Sequence, residues 1–161
     1  MYLLDANVMI QGKNAYYGMD IVPGFWQWIE KAHGDGLVFT VSKVADEIKD
    51  GGDELADWIK ALPTGFALDV SSSTATSLAA TAAWASAQTR YVPAALAEFL
   101  SVADYYLVAQ AHDLGFIVVT HETPAPDGKK RIKIPDACNG LGVAYTTPWA
   151  MLRNEGARFV S

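Results

Sequence analysis

Short, uninterrupted apolar segments constrain the fold of this sequence more than any other feature. Residues 2–4 (YLL), 37–41 (LVFTV) and 116–119 (FIVV) are continuous runs of this kind, and residues 66–70 and 143–145 are weaker ones. Runs of this length without polar alternation are typical of strands that are buried on both faces of a sheet. Because segments with helical spacing separate them, the sequence predicts an α/β fold, a three-layer α/β/α sandwich with a central, mainly parallel sheet.

The intervening segments carry apolar residues at intervals of three and four, which predicts helices. The segment 72–89 is rich in Ala, Ser and Thr. Leu78, Ala82 and Ala85 would form its apolar face, and a flexible linker is the alternative interpretation. Residues 12–18 are predicted to form a loop. The other predicted helices span residues 25–32, 43–49, 53–61, 93–99, 103–114 and 148–154.

Composition limits the classes of protein and of site. A chain of 161 residues with 51% apolar residues is expected to form one domain, residues 1–161. Cys138 is the only cysteine and there are three histidines, so any metal is expected to be held mainly by oxygen atoms. A net charge of −6 argues against a protein that coats nucleic acid generally, but it is compatible with a nuclease whose site is built from carboxylates.

The sequence contains neither an apolar run of the length that crosses a membrane nor a recognisable signal peptide. We therefore expect a cytoplasmic protein without membrane contact.

Acidic residues stand where several predicted strands end. Asp5 follows the first strand directly and Glu122 follows FIVV by three residues, whereas Glu47 and Asp104 lie on predicted helices. Ligands bind at the carboxyl edge of a parallel sheet, so these four side chains are expected to meet there. Because clustered carboxylates repel one another, a divalent cation such as Mg²⁺ or Mn²⁺ is the simplest partner. The pattern indicates hydrolysis of a phosphodiester by metal-activated water.

Each acid also has a purely structural interpretation. Asp5 is compatible with a turn or helix cap, Glu47 with a solvated helix position, and Asp104 with a cap or a solvent-facing position. Glu122, and Asp136 further along the chain, are compatible with surface loops.

The motifs YLLDANV, VADEI, ADYYLVAQAHDLG followed by FIVVTHE, and KIPDAC occur in this order along most of the chain. In this combination the sequence resembles the PIN-domain family of ribonucleases, particularly a toxin-like, VapC-like bacterial subgroup. The resemblance implies a PIN-like fold in which Asp5, Glu47, Asp104 and Glu122 hold one or two Mg²⁺ or Mn²⁺ ions. An Asp is more usual than Glu122 at the fourth position, which makes Asp136 a competing ligand.

Other residues are candidates for supporting the site. Asn7, Thr120, Ser42 and Ser101 could hydrogen-bond the carboxylates or water, although each could also be a cap. Residues 124–133 form a polar, basic segment that could contact RNA phosphates, with Tyr16, Tyr17 or Tyr105 stacking on bases, and a solvated loop with packed tyrosines is the alternative. The basic residues of this segment are Lys129, Lys130, Arg131 and Lys133.

The resemblance implies an endoribonuclease that acts as the toxin of a toxin–antitoxin pair, with RNA as substrate, a cognate antitoxin as partner and a homodimeric state. One alternative is a binding or regulatory module that keeps the fold without catalysis. A second alternative is a phosphoryl-transfer enzyme with Asp5 as covalent nucleophile. The residue two positions after Asp5 is Asn7 rather than an acid, which disfavours haloacid-dehalogenase-like chemistry, and there is no Gly-rich phosphate loop of the Walker type.

Overall fold

A computed structural model describes residues 1–160 and contains one five-stranded sheet within that range. The strands lie in the order β3-β2-β1-β4-β5, and every neighbouring pair is parallel. Helices cover the sheet, so the α/β sandwich with a central parallel sheet is confirmed. The strands are β1 (Tyr2–Leu4), β2 (Val38–Val41), β3 (Ala67–Leu68), β4 (Ile117–Val119) and β5 (Tyr145–Thr146).

The helices connect these strands, and the helices that follow β1, β2 and β5 begin within two residues of the strand's end, at the carboxyl edge of the sheet. A π-helical segment, Gly12–Tyr16, continues the first helix, and a 3₁₀ turn, Thr64–Phe66, precedes β3. The α-helices are α1 (Ala6–Gln11), α2 (Pro23–Gly34), α3 (Ser42–Asp50), α4 (Glu54–Ala61), α5 (Thr74–Ala87), α6 (Pro93–Ser101), α7 (Ala103–Leu114), α8 (Ile134–Leu141) and α9 (Pro148–Asn154).

The central strand β1 explains why its sequence is continuously apolar. It pairs with β2 on one side and β4 on the other, with Leu3 opposite Phe39 and Val118. Leu3 and Leu4 are fully buried because helices pack on both faces of the sheet. β1 ends at Leu4, and the residue that follows it at the carboxyl edge of the sheet is Asp5.

Two segments differ from the predictions. Residues 12–18 were expected to form a loop, but α1 and the π-helical segment occupy most of residues 6–16. α8 begins at Ile134 with Pro135 in its first turn, in a segment where no helix was predicted. Proline is favoured in the first turn of a helix because its missing N–H would be unpaired there in any case. That signal was present in the sequence.

The helix predicted over residues 72–89 is confirmed as α5, so the linker interpretation is wrong, but the buried face is not the expected one. The helix buries Thr74, Ser77 and Thr81 together with Ala85. The Ser77 hydroxyl hydrogen-bonds Nδ1 of His112 on α7 (2.7 Å). Thr74 also donates to Asp113 on α7, and Thr81 donates to the Ser77 carbonyl within α5. These hydrogen bonds make burial of the polar side chains tolerable, which the apolar spacing alone does not show.

Among residues 1–160, no helix is long and apolar enough to cross a membrane.

Candidate active site

Asp5 lies at the carboxyl end of β1 and is almost completely buried, with 2% of its surface exposed. Its backbone N–H donates to the carbonyl of Val119 on β4 (3.0 Å), which holds it in line with the sheet. It occupies the N-cap position of α1, yet its carboxylate accepts a hydrogen bond from the Thr120 hydroxyl (3.0 Å) instead of capping the helix. Thr120 therefore orients the Asp5 carboxylate, as predicted for a supporting residue.

Asp104 reaches the same region from the first turn of α7. A carboxylate is favourable at this position because the N-terminal end of a helix carries a partial positive charge. Asp5, Asp104 and the exposed Glu47 of α3 all line one pocket of about 590 Å³. The structure thus brings together three of the four predicted acidic ligands, which are separated by up to 99 residues (from position 5 to position 104) in the sequence.

The pocket is strongly acidic. Six of its lining residues carry carboxylates and two carry cations, so its local charge attracts cations. The lining also includes Asn7 and Ser101, both predicted as supporting residues. The Ser101 hydroxyl donates to the backbone carbonyl of Glu98 (2.8 Å). The charged residues of the lining besides the three predicted acids are Lys43, Asp46, Asp50, Glu98 and Arg131.

Burial and mutual repulsion perturb both inner carboxylates. Burial, followed by the charge of Asp104, raises the pKa of Asp5 to about 7, and the hydrogen bond from Thr120 opposes this. Burial, followed by the charge of Glu122, raises the pKa of Asp104 to about 6, although the Arg131 guanidinium opposes this. At neutral pH the two groups therefore hold less negative charge than two ordinary carboxylates would.

Arg131 is the cation nearest to these acids. Its guanidinium donates to one carboxylate oxygen of Glu122 (2.7 Å) and lies 3.9 Å from a carboxylate oxygen of Asp104. The other oxygen of Glu122 accepts the backbone N–H of Ile134, the first residue of α8 (2.7 Å). Glu122 thus anchors Arg131 and the start of α8, and a bound cation would compete with Arg131 for it.

Asp136, the competing candidate for the fourth ligand, lies outside this pocket. Both of its carboxylate oxygens accept the backbone N–H of Ala125 (3.0 and 3.2 Å), and the side chain is buried. Its observed contacts are those of a residue that holds the loop after β4 against α8. The identity of a fourth ligand stays a prediction.

The donor set fits a divalent cation in its chemistry. Asp5 and Asp104 are buried carboxylates among other acids, and a hard cation beside them would stabilise their charged forms against both burial and repulsion. Within the part of the chain that the structure describes, no three Asp, Glu, His or Cys side chains are already arranged to hold an ion. Arg131 occupies the space between Glu122 and Asp104, so binding of an ion would require this arginine to move.

The remaining predicted residues are distributed around the pocket. Lys129 and Lys130 are exposed in the loop before α8, and Lys133 occupies the position just before that helix. The Ser42 hydroxyl donates to Asp69 rather than to an acid of the pocket. The structure therefore places Arg131, alone of the basic cluster, in the pocket lining.

Two of the three predicted stacking tyrosines are used in packing. Tyr17 stacks on Phe25 of the core with ring centroids 4.2 Å apart. Tyr105 donates its hydroxyl to the backbone carbonyl of Leu78 (2.8 Å). Tyr16 is exposed.

Several residues of the pocket were missed by reasoning from the sequence. Asp46 and Asp50 lie one turn apart on α3, and this spacing of four residues was the available signal. Glu98 comes from α6 and contributes to the raised pKa of Asp104, behind burial and nearer charges. Lys43 lies 5.1 Å from the ring centroid of Tyr106, and both line the pocket.

A family model described as "Domain of unknown function (DUF4411)" matches residues 2–159 of the chain. No curated protein and no solved structure matches it.

Proposed function

The chain belongs to the DUF4411 family, and we propose that it is an endoribonuclease that depends on Mg²⁺ or Mn²⁺. The observation that carries this proposal is the pair of inner carboxylates. Asp5 and Asp104 come from the end of a strand and the start of a helix, and they face one acidic pocket with Glu47. Carboxylate oxygens at the carboxyl edge of a parallel sheet are a suitable donor set for one or two hard divalent cations.

Asp5 and Asp104 would hold the principal ion, and Glu47 with one further acid would hold a second ion or its water molecules. When bound, the cation would supply activation of a water molecule and stabilisation of charge on the phosphate. Thr120 keeps the Asp5 carboxylate in a fixed orientation through the hydrogen bond between its hydroxyl and Oδ2. A fixed orientation matters because it reduces the reorganisation needed when substrate and cation bind.

Arg131 would act on the RNA rather than on the cation. Its guanidinium is half exposed at the pocket, and its partners are the carboxylates of Glu122 and Asp104. The two non-bridging oxygens of a phosphodiester accept hydrogen bonds from a guanidinium as carboxylate oxygens do, so Arg131 could transfer its hydrogen bonds to the substrate backbone. Lys129, Lys130 and Lys133 would add attraction for RNA phosphates at the rim of the pocket.

The biological role that we propose is that of the toxin in a toxin–antitoxin pair, acting in the cytoplasm as a homodimer with a cognate antitoxin. This part of the proposal is supported by the resemblance of the motifs YLLDANV and ADYYLVAQAHDLG to toxin-like PIN-domain ribonucleases.

The test is cleavage of RNA by the purified protein in EDTA and after addition of Mg²⁺ or Mn²⁺. We expect cleavage only with the cation, and a loss of at least about 100-fold in Asp5→Asn and Asp104→Asn, in line with removal of a group that stabilises the transition state. Asp57→Asn, which changes an exposed acid on α4, is the matched control and should keep full activity. Undiminished cleavage by both pocket variants would refute the assignment of the site.

One observation favours a second candidate, a module of the same fold without catalysis. Arg131 already compensates Glu122 and part of the charge of Asp104, as an internal cation would. Titration calorimetry with Mn²⁺ separates the two candidates. Binding that is weakened in Asp5→Asn favours the nuclease, whereas intact RNA together with undetectable binding favours the module.

A further inference from the structure

Three aromatic rings from distant parts of the chain meet beside the acidic pocket. The ring centroid of Tyr16 lies 5.4 Å from those of both His121 and Trp149, and the His121 and Trp149 centroids are 5.0 Å apart. Tyr16 is 45% exposed and Trp149 is 38% exposed. Tyr16, His121 and Trp149 together form an aromatic platform.

The platform is continuous with the site through the backbone after β4. His121 stands between Thr120, whose hydroxyl holds Asp5, and Glu122, whose carboxylate holds Arg131. The backbone N–H of Glu122 also donates to the Thr120 hydroxyl (3.1 Å), which makes this tripeptide one ordered unit. Consecutive Cα atoms are only about 3.8 Å apart, so the backbone that carries the His121 ring lies next to residues that hold Asp5 and Arg131.

The other two rings arrive at the same edge of the sheet for topological reasons. Trp149 is the second residue of α9, which starts just after β5 ends at Thr146. Tyr16 is the last residue of the π-helical segment that continues α1 beyond Asp5. The platform is thus built from the segments that follow β1, β4 and β5, beside the carboxyl ends of these strands.

Packing of the core does not account for the exposure of these rings. Their aromatic neighbours Tyr17, Phe25 and Phe159 contact one another and supply the inward-facing packing. Tyr16 and Trp149 instead expose adjoining apolar surface to water, close to the backbone segment that carries Thr120 and Glu122. The partner must therefore present a flat apolar face and lie next to the acidic pocket.

An unpaired nucleobase meets both requirements. The chain carries a net charge of −6, which repels phosphate and leaves a need for a source of affinity other than charge. Stacking of bases on aromatic side chains provides it and is tolerant of base identity, since every base has a π face.

A positive group also lies beside the platform. Arg153, one turn along α9 from Trp149, is close enough to Tyr17 to lower its pKa against the larger opposing effect of burial. Arg153 therefore adds a positive charge that could attract a phosphate group of a nucleotide bound at the platform.

We propose that Tyr16, His121 and Trp149 form a binding site for unpaired nucleobases next to the scissile phosphate. The inference rests on the proposed nuclease function for the position of that phosphate. In a duplex the faces of the bases are stacked inside the helix, so duplex RNA would not gain from the platform.

The experiment measures binding by fluorescence anisotropy in EDTA, where the proposed cleavage is suppressed. The probes are a labelled single-stranded RNA of about 12 nucleotides, the same RNA with several abasic positions, and the corresponding duplex. The variants are Tyr16→Ala and Trp149→Ala, with Trp149→Phe as the conservative change. Leu114→Ala is the matched control, because it removes an exposed apolar side chain at the other end of α7 from Asp104.

We expect each alanine variant to bind the single-stranded RNA about tenfold more weakly, within the range of about 5- to 150-fold that loss of one stacked base produces. Trp149→Phe and Leu114→Ala should stay within about threefold of the unsubstituted protein, since the first keeps an aromatic face and the second lies elsewhere. The alanine variants should lose little further affinity for the abasic RNA, because the stacking partner is already gone, and binding of the duplex should be unchanged.

Equal binding of single-stranded RNA by the alanine variants and the unsubstituted protein would overturn the proposal. Equal losses on single-stranded, abasic and duplex RNA would also overturn it, since base stacking could not then be the cause. If RNA binding is unchanged while Trp149→Ala alters the oligomeric state in sedimentation, the platform is instead a contact between copies of the chain. If the proposed nuclease function is wrong but the platform binds bases, the result differs. The alanine variants then bind single-stranded RNA more weakly, and the unsubstituted protein does not cleave RNA when Mg²⁺ or Mn²⁺ is added.

Discussion

Removing the charge of Asp5 should stabilise the protein at neutral and alkaline pH in the absence of divalent cations. The pKa of Asp5 is raised from 3.8 to about 7, so the folded chain keeps a proton that the unfolded chain has released between these values. The stability that this proton contributes is fully present below the pKa of Asp5 in the unfolded chain. It is lost as the pH rises through about 7, the pKa of Asp5 in the folded protein. The stability of the unsubstituted protein should therefore fall with increasing pH.

The size of the effect follows from the two pKa values. At about 1.4 kcal/mol per pH unit, the full difference for Asp5 corresponds to about 4 kcal/mol, of which about 3 kcal/mol falls between pH 5 and pH 8. Asp104 adds a change in the same direction, because its pKa is raised to about 6. The two contributions do not simply add, since the charge of Asp104 is one of the causes of the raised pKa of Asp5.

The assay is urea unfolding in EDTA, followed by circular dichroism at several pH values between about 5 and 8. Asp5→Asn keeps an oxygen that can accept the Thr120 hydrogen bond but cannot ionise, so its stability should fall less with pH, by about 3 kcal/mol over this range. The control Asp57→Asn should keep the slope of the unsubstituted protein. Parallel slopes for Asp5→Asn and the unsubstituted protein would refute the proposed electrostatics of the pocket.

Addition of Mg²⁺ to the same assay tests whether the repulsion between carboxylates is what a cation relieves. At pH 8 the cation should stabilise the unsubstituted protein, by about 2.7 kcal/mol at 100 times its dissociation constant, and should have a much smaller effect on Asp5→Asn. A cation effect of equal size in both proteins would place binding outside the pocket.

Two further changes have effects that can be read from the structure. Arg131→Ala should strengthen Mn²⁺ binding several-fold in calorimetry without RNA, because it removes the guanidinium that lies 3.9 Å from Asp104. Arg131→Lys keeps the charge and should change Mn²⁺ binding little. Weaker Mn²⁺ binding in Arg131→Ala would contradict the competition between arginine and cation. Gly140→Ala should lower the free energy of unfolding in urea by about 3 kcal/mol, since the added methyl would overlap the Trp84 indole. Gly142→Ala, at φ +71 and facing open space among the described residues, should lower it by about 1 kcal/mol. Equal losses of stability would refute the packing argument.

Local sequence was sufficient to predict the layers of the fold because burial on both faces of a sheet requires apolar residues at every position of a strand. This is why YLL, LVFTV and FIVV predict, from the sequence alone, the strands β1, β2 and β4. The same logic located Asp5 and Asp104, since the carboxyl end of a buried strand and the first turn of a helix are both recognisable in the chain.

The sequence did not reveal which polar side chains would contact one another across the fold. Thr120 and Asp5 are 115 residues apart and meet only because β4 pairs with β1. α5 buries threonine and serine because α7 supplies hydrogen-bond partners for them. The spacing of residues within α5 gives no information about these partners. Local patterns report how much of each face is apolar, whereas the choice of polar partners depends on which elements become neighbours.

For Asp5 itself, the sequence alone determined its position at the end of the first strand, together with a choice between a cap and a ligand. The tertiary structure decided that its carboxylate is buried, oriented by Thr120 and close to Asp104. It also decided that Glu122 pairs with Arg131, although both had been singled out separately. The physical reason is that charge interactions depend on distance and burial in three dimensions, and neither quantity is set by separation along the chain.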